Sequence, residues 1–270
     1  MSAVLLRHTL AAGRWRFVAV AAGLATWGFL LPVVYATFGA EIRRIVAGGY
    51  LSELLDALTA IGGGSVFTLD GSIALSFIHP ISIALVAVLA IGHPIAALAS
   101  ERQRGTLEVL LARPISRRRV YATALAATFL FVAGVMAANL GGVLAGATLF
   151  DVADELQLDR LLVAWASAVL FFTTLGALAL AASASFDRVA PALGIVLAFT
   201  IASYAVEFLG ALWPDMAGWR PWSVFHYFQP AQIMAGDVSP GDAVVLAGIT
   251  VAAVAYGLWI FPRRDLAAPS

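Results

Sequence analysis

A chain of 270 residues that is 61% hydrophobic and 12% charged, with a mean hydropathy of +0.93, has too little polar surface to cover a soluble globule and belongs in a bilayer. All 16 basic residues are arginine and there is no cysteine, which excludes a lysine-bearing phosphate loop, a lysine Schiff base, disulfides and thiolate chemistry; any ATP hydrolysis must come from another chain. The formal net charge of zero conceals an asymmetry that emerges once the spans are placed.

A transmembrane helix needs about 20 largely apolar residues, and six runs qualify. The first, Phe17 to Phe38, is too long for a signal peptide and lacks its small-residue cleavage site, so it is read as retained. Beyond it, Glu41 to Ala47 and Tyr50 to Ile61 predict short helices on the outer interface, the second with Leu51, Leu54, Leu55 and Leu58 at helical spacing. Gly62, Gly63 and Gly64 then break the helix before the chain re-enters. The second span runs from about Ile73 to Ala99, and Pro80 and Pro94 predict kinks in it. The histidines before those prolines, His79 and His93, lie about 21 Å apart along a helix and cannot share one ion. In the third span, about Val120 to Phe150, Asn139, Gly141 and Gly142 predict close helix packing. The fourth runs from about Leu161 to Ala182 and the fifth from about Val189 to Leu212, which embeds the acid Glu207; the sixth runs from about Ala243 to Phe261.

Twelve of the sixteen arginines then fall on one side: Arg7, Arg14, Arg16, Arg102, Arg104, Arg113, Arg117, Arg118, Arg119, Arg188, Arg263 and Arg264. Only four acids, Glu101, Glu108, Asp187 and Asp265, share it. Loops rich in arginine stay cytoplasmic, so both termini are expected there. The fold class is an all-α polytopic membrane protein of six helices, one membrane domain over residues 1–270.

The connection between spans two and three, Glu101 to Arg119, is the richest in motif. Gly105 and Thr106 predict a break and an N-cap, and Glu108 suits the first turn of a helix dipole. Leu107, Leu110 and Leu111 share a face, Pro114 ends the helix, and Ser116 caps the next one, with Arg117, Arg118 and Arg119 at its start. A short amphipathic helix pinned between two spans follows. The last external loop, Trp213 to Gly241, concentrates Trp213, Trp219, Trp222, Phe225, Tyr227 and Phe228 among prolines, either as an aromatic belt or as a gate. Glu207, Trp222, Phe225 and Tyr227 are the candidate pathway or gate residues, with Glu207 facing a substrate, a proton or Arg220.

The run Glu101-Arg102-Gln103-Arg104-Gly105-Thr106-Leu107-Glu108, followed by Leu110-Leu111-Ala112-Arg113-Pro114-Ile115-Ser116-Arg117, resembles the permease subunits of ABC-2 type ATP-binding-cassette transporters. Ser223 to Pro230 and the tail Phe261 to Leu266 are weaker echoes of the same family. The resemblance implies a multi-pass cell-membrane permease, most simply an exporter, and the high arginine and alanine content without lysine suggests a prokaryotic source. It also implies a coupling helix that engages two copies of a separate ABC ATPase subunit, and a second permease subunit as homodimer or heterodimer. Carried over residue by residue, Glu101, Arg104, Thr106, Glu108, Arg113, Pro114 and Arg117 would form or support that contact, with Asp187 and Arg188 in the next connection on that side as a minor second one. ATP and magnesium would sit on the partner. This chain would bind no cofactor, metal or nucleic acid, would have no catalytic residue of its own, and would meet membrane lipid. A channel or secondary transporter is the alternative, disfavoured by few embedded polar residues and no matching broken helices. An intramembrane enzyme would need a ligand cluster or a nucleophile with its base, which four scattered histidines do not supply.

Overall fold

The computed structural model describes residues 3–47, 68–112 and 115–264, and all regular structure among them is helical. Helix α1 spans Ala3–Ala47 and α7 spans Arg117–Leu149. Helices α8, α9 and α11 cover Leu158–Ser185, Val189–Leu212 and Pro240–Arg263. The second span is composite: α2 (Leu69–Ile78), α3 (Pro80–Ala90), α4 (Gly92–Ile95), a π-helical turn (Ala96–Ser100) and α5 (Glu101–Gln103). The short α6 (Thr106–Leu111) and α10 (Pro230–Ala235) stand between spans. Among the described residues six helices are long and apolar enough to cross a membrane, at the places the apolar runs predict.

Two local departures have simple causes. Helix α1 continues unbroken through Glu41 to Ala47, where the sequence suggests a separate interfacial helix. Gly39 has no proline or second glycine beside it, so no backbone hydrogen bond is lost there. Tyr50 to Ile61 lies outside the described residues. At His79 the predicted kink is a full break: the residue is extended (φ −59°, ψ 143°) because the following proline pushes it out of the helical region and offers no N–H. Side chains take up the freed groups. His79 Nδ1 accepts from the Ile81 N–H at 3.2 Å and Ser82 donates to the Ser76 carbonyl at 2.7 Å, while Asn139 of α7 separately donates to the Ser76 side-chain hydroxyl at 3.1 Å. Pro94 sits inside α4 without a break, and the wider π-helical turn follows it.

The second span, α7 and α8 form the centre, with half or more of their apolar windows buried; α1, α9 and α11 are under a third buried and leave broad apolar faces outward. Contact order along each pair gives the direction. Gly13 meets Phe131, Phe17 meets Gly134, Ala25 meets Gly142 and Phe29 meets Gly146, so α1 and α7 run parallel. Gly176 against Ala90 and Ser183 against Ala99 make α8 parallel to the second span, and Thr174 against Thr250 with Ser185 against Tyr256 makes it parallel to α11. Alternating traverses produce this pattern.

Small residues bring α1 and α7 together. Cβ atoms added at Gly142 and Gly146 would run into the carbonyls of Ala25 and Phe29, and one added at Gly28 into that of Asn139. Gly141 faces open space. Gly142→Val is therefore expected to cost about 1–3 kcal/mol through overpacking, and Gly141→Val close to nothing. Thermal unfolding of the two purified variants checks this; equal melting points would remove the close-approach account.

Candidate functional site

The arginine-rich ends of the helices meet at one end of the bundle. The α8–α9 connection and the end of α11 are tied there to the segment from Glu101 to Thr106, and the start of α7 is tied to the end of α11.

Glu101 organises the start of α6. One carboxylate oxygen accepts from Arg104 Nη2 at 2.5 Å and the other from the Thr106 hydroxyl at 2.5 Å. Thr106 is the first residue of α6, and its hydroxyl points back to Glu101 in place of the expected N-cap. Gly105 makes the turn between them possible, with φ +71°, a conformation that costs glycine little. Helix α6 then buries Leu107, 1% exposed, in a core with Leu98, Tyr121, Leu180 and Phe261, and Leu111 packs against the same core. Its opposite face presents Val109, 71% exposed.

The neighbouring residues anchor the segment. The Arg102 side chain is 3% exposed, with Nη1 donating to the carbonyls of Ala184 (3.5 Å) and Phe186 (3.2 Å) and to Asp187 Oδ1 (3.2 Å). Its guanidinium also lies over the Phe261 ring at 5.7 Å. Asp187 Oδ2 accepts in turn from Arg264 at 2.9 Å, which brings in the end of α11. Gln103 Oε1 accepts from the Val189 N–H at 2.9 Å, satisfying an orphan donor at the start of α9. Arg117 Nη1 donates to the carbonyls of Phe261, Pro262 and Arg264 at the end of α11, the favourable place for a cation on a helix dipole. Ser116 caps α7 as expected, accepting from the Arg119 N–H at 3.3 Å.

Of the residues singled out in the sequence, Glu101, Arg104 and Thr106 form one hydrogen-bonded group. Arg117 belongs to a separate contact on α11. Arg113 and Pro114 lie outside the described residues, as does the side chain of Glu108. The Asp187–Arg188 connection is joined directly to this group through Arg102. Sequence reasoning missed Arg102 and Gln103 as anchors. The available signal was Asp187, one of only four acids on the arginine-rich side and set in a very short connection.

The other end of the bundle holds Glu207, 7% exposed on α9. Its partner is Arg220, the loop residue anticipated from the sequence: Arg220 Nε and Nη2 reach Glu207 Oε1 at 3.0 and 2.5 Å, and Gln229 Nε2 joins at 3.3 Å. His226 Nδ1 stands 3.6 Å from the second carboxylate oxygen. Phe225 is buried, its ring 4.8 Å from Phe171 and 5.3 Å from Tyr204. Tyr227 donates to the Pro221 carbonyl at 2.8 Å, and Trp222 is 83% exposed. Thus Glu207 and Phe225 pin the loop inward and Tyr227 closes it, while Trp222 stands on the surface with Trp213 and Trp219. No group of three or more His, Asp or Glu side chains able to hold a metal ion occurs among the described residues.

Comparison with protein families gives a match to the family described as "ABC-2 family transporter protein" over residues 23–266. No curated protein matches the chain.

Proposed function

The chain belongs to the ABC-2 transporter family, as a multi-pass membrane subunit of an ABC transporter with which an ATPase partner is implied, and from that premise we propose that it is an exporter permease driven through the Glu101 to Arg119 segment. In this reading the segment and both termini are cytoplasmic, as the arginine distribution favours. The whole chain serves as one permease domain in a prokaryotic cell membrane. Two ATPase subunits carry ATP and magnesium. A second permease subunit, the same or different, covers one of the open faces of the outer helices.

The observation that carries the proposal is the build of α6. Leu107 roots it in the core, the Glu101–Arg104–Thr106 group fixes its start, and Arg102 with Gln103 ties the preceding turn to α8, α9 and α11. A push on Val109 from a closing ATPase dimer would then move several spans as a body, whereas a loose loop would absorb it. Glu101, Arg104, Thr106, Glu108, Arg113, Pro114 and Arg117 form or support the contact. No residue of this chain is assigned to hydrolysis.

The test is co-purification of the tagged chain in mild detergent, with partners identified by mass spectrometry. An ABC ATPase is expected in stoichiometric amount. Val109→Asp or Glu108→Arg should weaken its recovery about tenfold or more, since either places a mismatched charge in the centre of the contact. Isolation of this chain alone, or undiminished recovery with both variants, would overturn the coupling assignment.

A further inference from the structure

A cavity of about 400 Å³ opens at the arginine-rich end, between the first turns of α1, the stretch from α4 to α5, and the start of α7. Leu5, Ala12, Ala97 and Val120 give it apolar walls, and His8, Arg16, His93, Glu101 and Arg104 give it a polar lining. That lining is not internally balanced. Glu101 is the single carboxylate, and both its oxygens are engaged by Arg104 and Thr106. The two hydroxyls on the wall, Thr9 and Thr123, donate to the carbonyls of Leu5 and Arg119 in their own helices. Arg16 has no ion-pair or hydrogen-bond partner among the described residues. His93 Nε2 is buried and likewise has none. The buried imidazole nitrogen lacks a hydrogen-bond partner, and the exposed guanidinium on the same cavity is a cation free to take an anion.

Depth narrows the class of anion. Trp15 is exposed beside Arg14, whose guanidinium lies 5.2 Å over its ring, and exposed Val18 follows one turn later. An exposed Trp–Arg pair followed by apolar surface marks headgroup level, and basic pockets between spans at that level take phosphate. The guanidinium fork also matches phosphate oxygens better than a single point charge would. We infer that this cavity binds a phosphate group through Arg16 and His93, borne by a lipid headgroup or by a soluble phosphate compound. The site touches Glu101 and Arg104 and so lies against the segment that starts α6, but it stands independently of any ATPase contact.

The test is the thermal unfolding midpoint of the purified full chain in detergent, titrated with dioleoylphosphatidylglycerol, with dioleoylglycerol as the phosphate-free lipid, and with inorganic phosphate. Phosphatidylglycerol should raise the midpoint and dioleoylglycerol should not. Arg16→Gln, at an exposed and unpaired position, should weaken the apparent affinity about tenfold, the loss of one charge-assisted contact. Ala12→Leu should do the same by filling the cavity while leaving every charge in place. Stabilisation by inorganic phosphate equal to that by the phospholipid, and sensitive to the same variants, assigns the site to a soluble phosphate source. Equal stabilisation by the two lipids without any response to phosphate, or unchanged phosphatidylglycerol affinity in both variants, overturns the site.

Discussion

Glu207→Ala is expected to destabilise the chain by about 3–5 kcal/mol, the cost of removing one partner from a buried ion pair and leaving the other uncompensated. The carboxylate is 7% exposed and takes two hydrogen bonds from Arg220 and one from Gln229. Gly210 lets the pair form, because a Cβ there would lie 2.5 Å from Arg220 Cγ and 3.0 Å from the Met216 carbonyl. Loss of the pair should release the turns Pro214–Trp222 and Val224–Tyr227 from α9, although the Phe225 and Phe228 rings still hold against Phe171. Thermal unfolding and limited proteolysis read the two effects separately. The double variant Glu207→Ala with Arg220→Met should recover part of the loss, since no charge is then stranded. Glu207→Gln separates a lock from a transport role: it keeps the shape and an acceptor, so a lock predicts modest destabilisation with transport retained. Normal stability with transport abolished would instead place Glu207 in the pathway.

Much of this architecture is legible in the chain because the bilayer imposes a length rule that few other environments impose. Each apolar run long enough to cross is a crossing helix, and arginine segregates to one end of the bundle as the sequence suggests. Pro80 is readable as a disturbance, since a missing N–H is a local fact. That the disturbance becomes a full break is not readable, because it shows only once the chain has turned and the Ser82 hydroxyl has reached the Ser76 carbonyl that Pro80 leaves without a donor. Gly142 announces a close approach without naming Ala25 as the surface approached. At the candidate site the same division holds. Glu101, Gly105 and Thr106 act on one another within five residues, and the motif exposes them. Arg102 and Gln103 act on residues more than 80 positions later, and nothing in their immediate neighbours distinguishes an anchoring arginine from one that only fixes topology.

That difference makes Arg102→Ala the sharpest test of how the segment is held. The substitution removes the donor to two carbonyls and to Asp187 at a site where the side chain is 3% exposed, and it strips Asp187 of one of its two arginines. A loss of about 1–3 kcal/mol is expected from the carbonyls left without their donor, read as a lowered melting point. Arg102→Lys should recover little of it, since an ammonium cannot span the two carbonyls and the carboxylate with a planar fork or lie flat over the Phe261 ring. The functional consequence separates anchoring from docking. With Arg102 gone, α6 keeps Leu107 in the core and Val109 outward, so an ATPase partner should still bind, while its turnover no longer answers to the permease. Val109→Asp should give the reverse: an intact melting point and a lost partner. If Arg102→Ala loses the partner and Val109→Asp does not, the docking surface is the Arg102–Asp187 junction, and α6 is only its support.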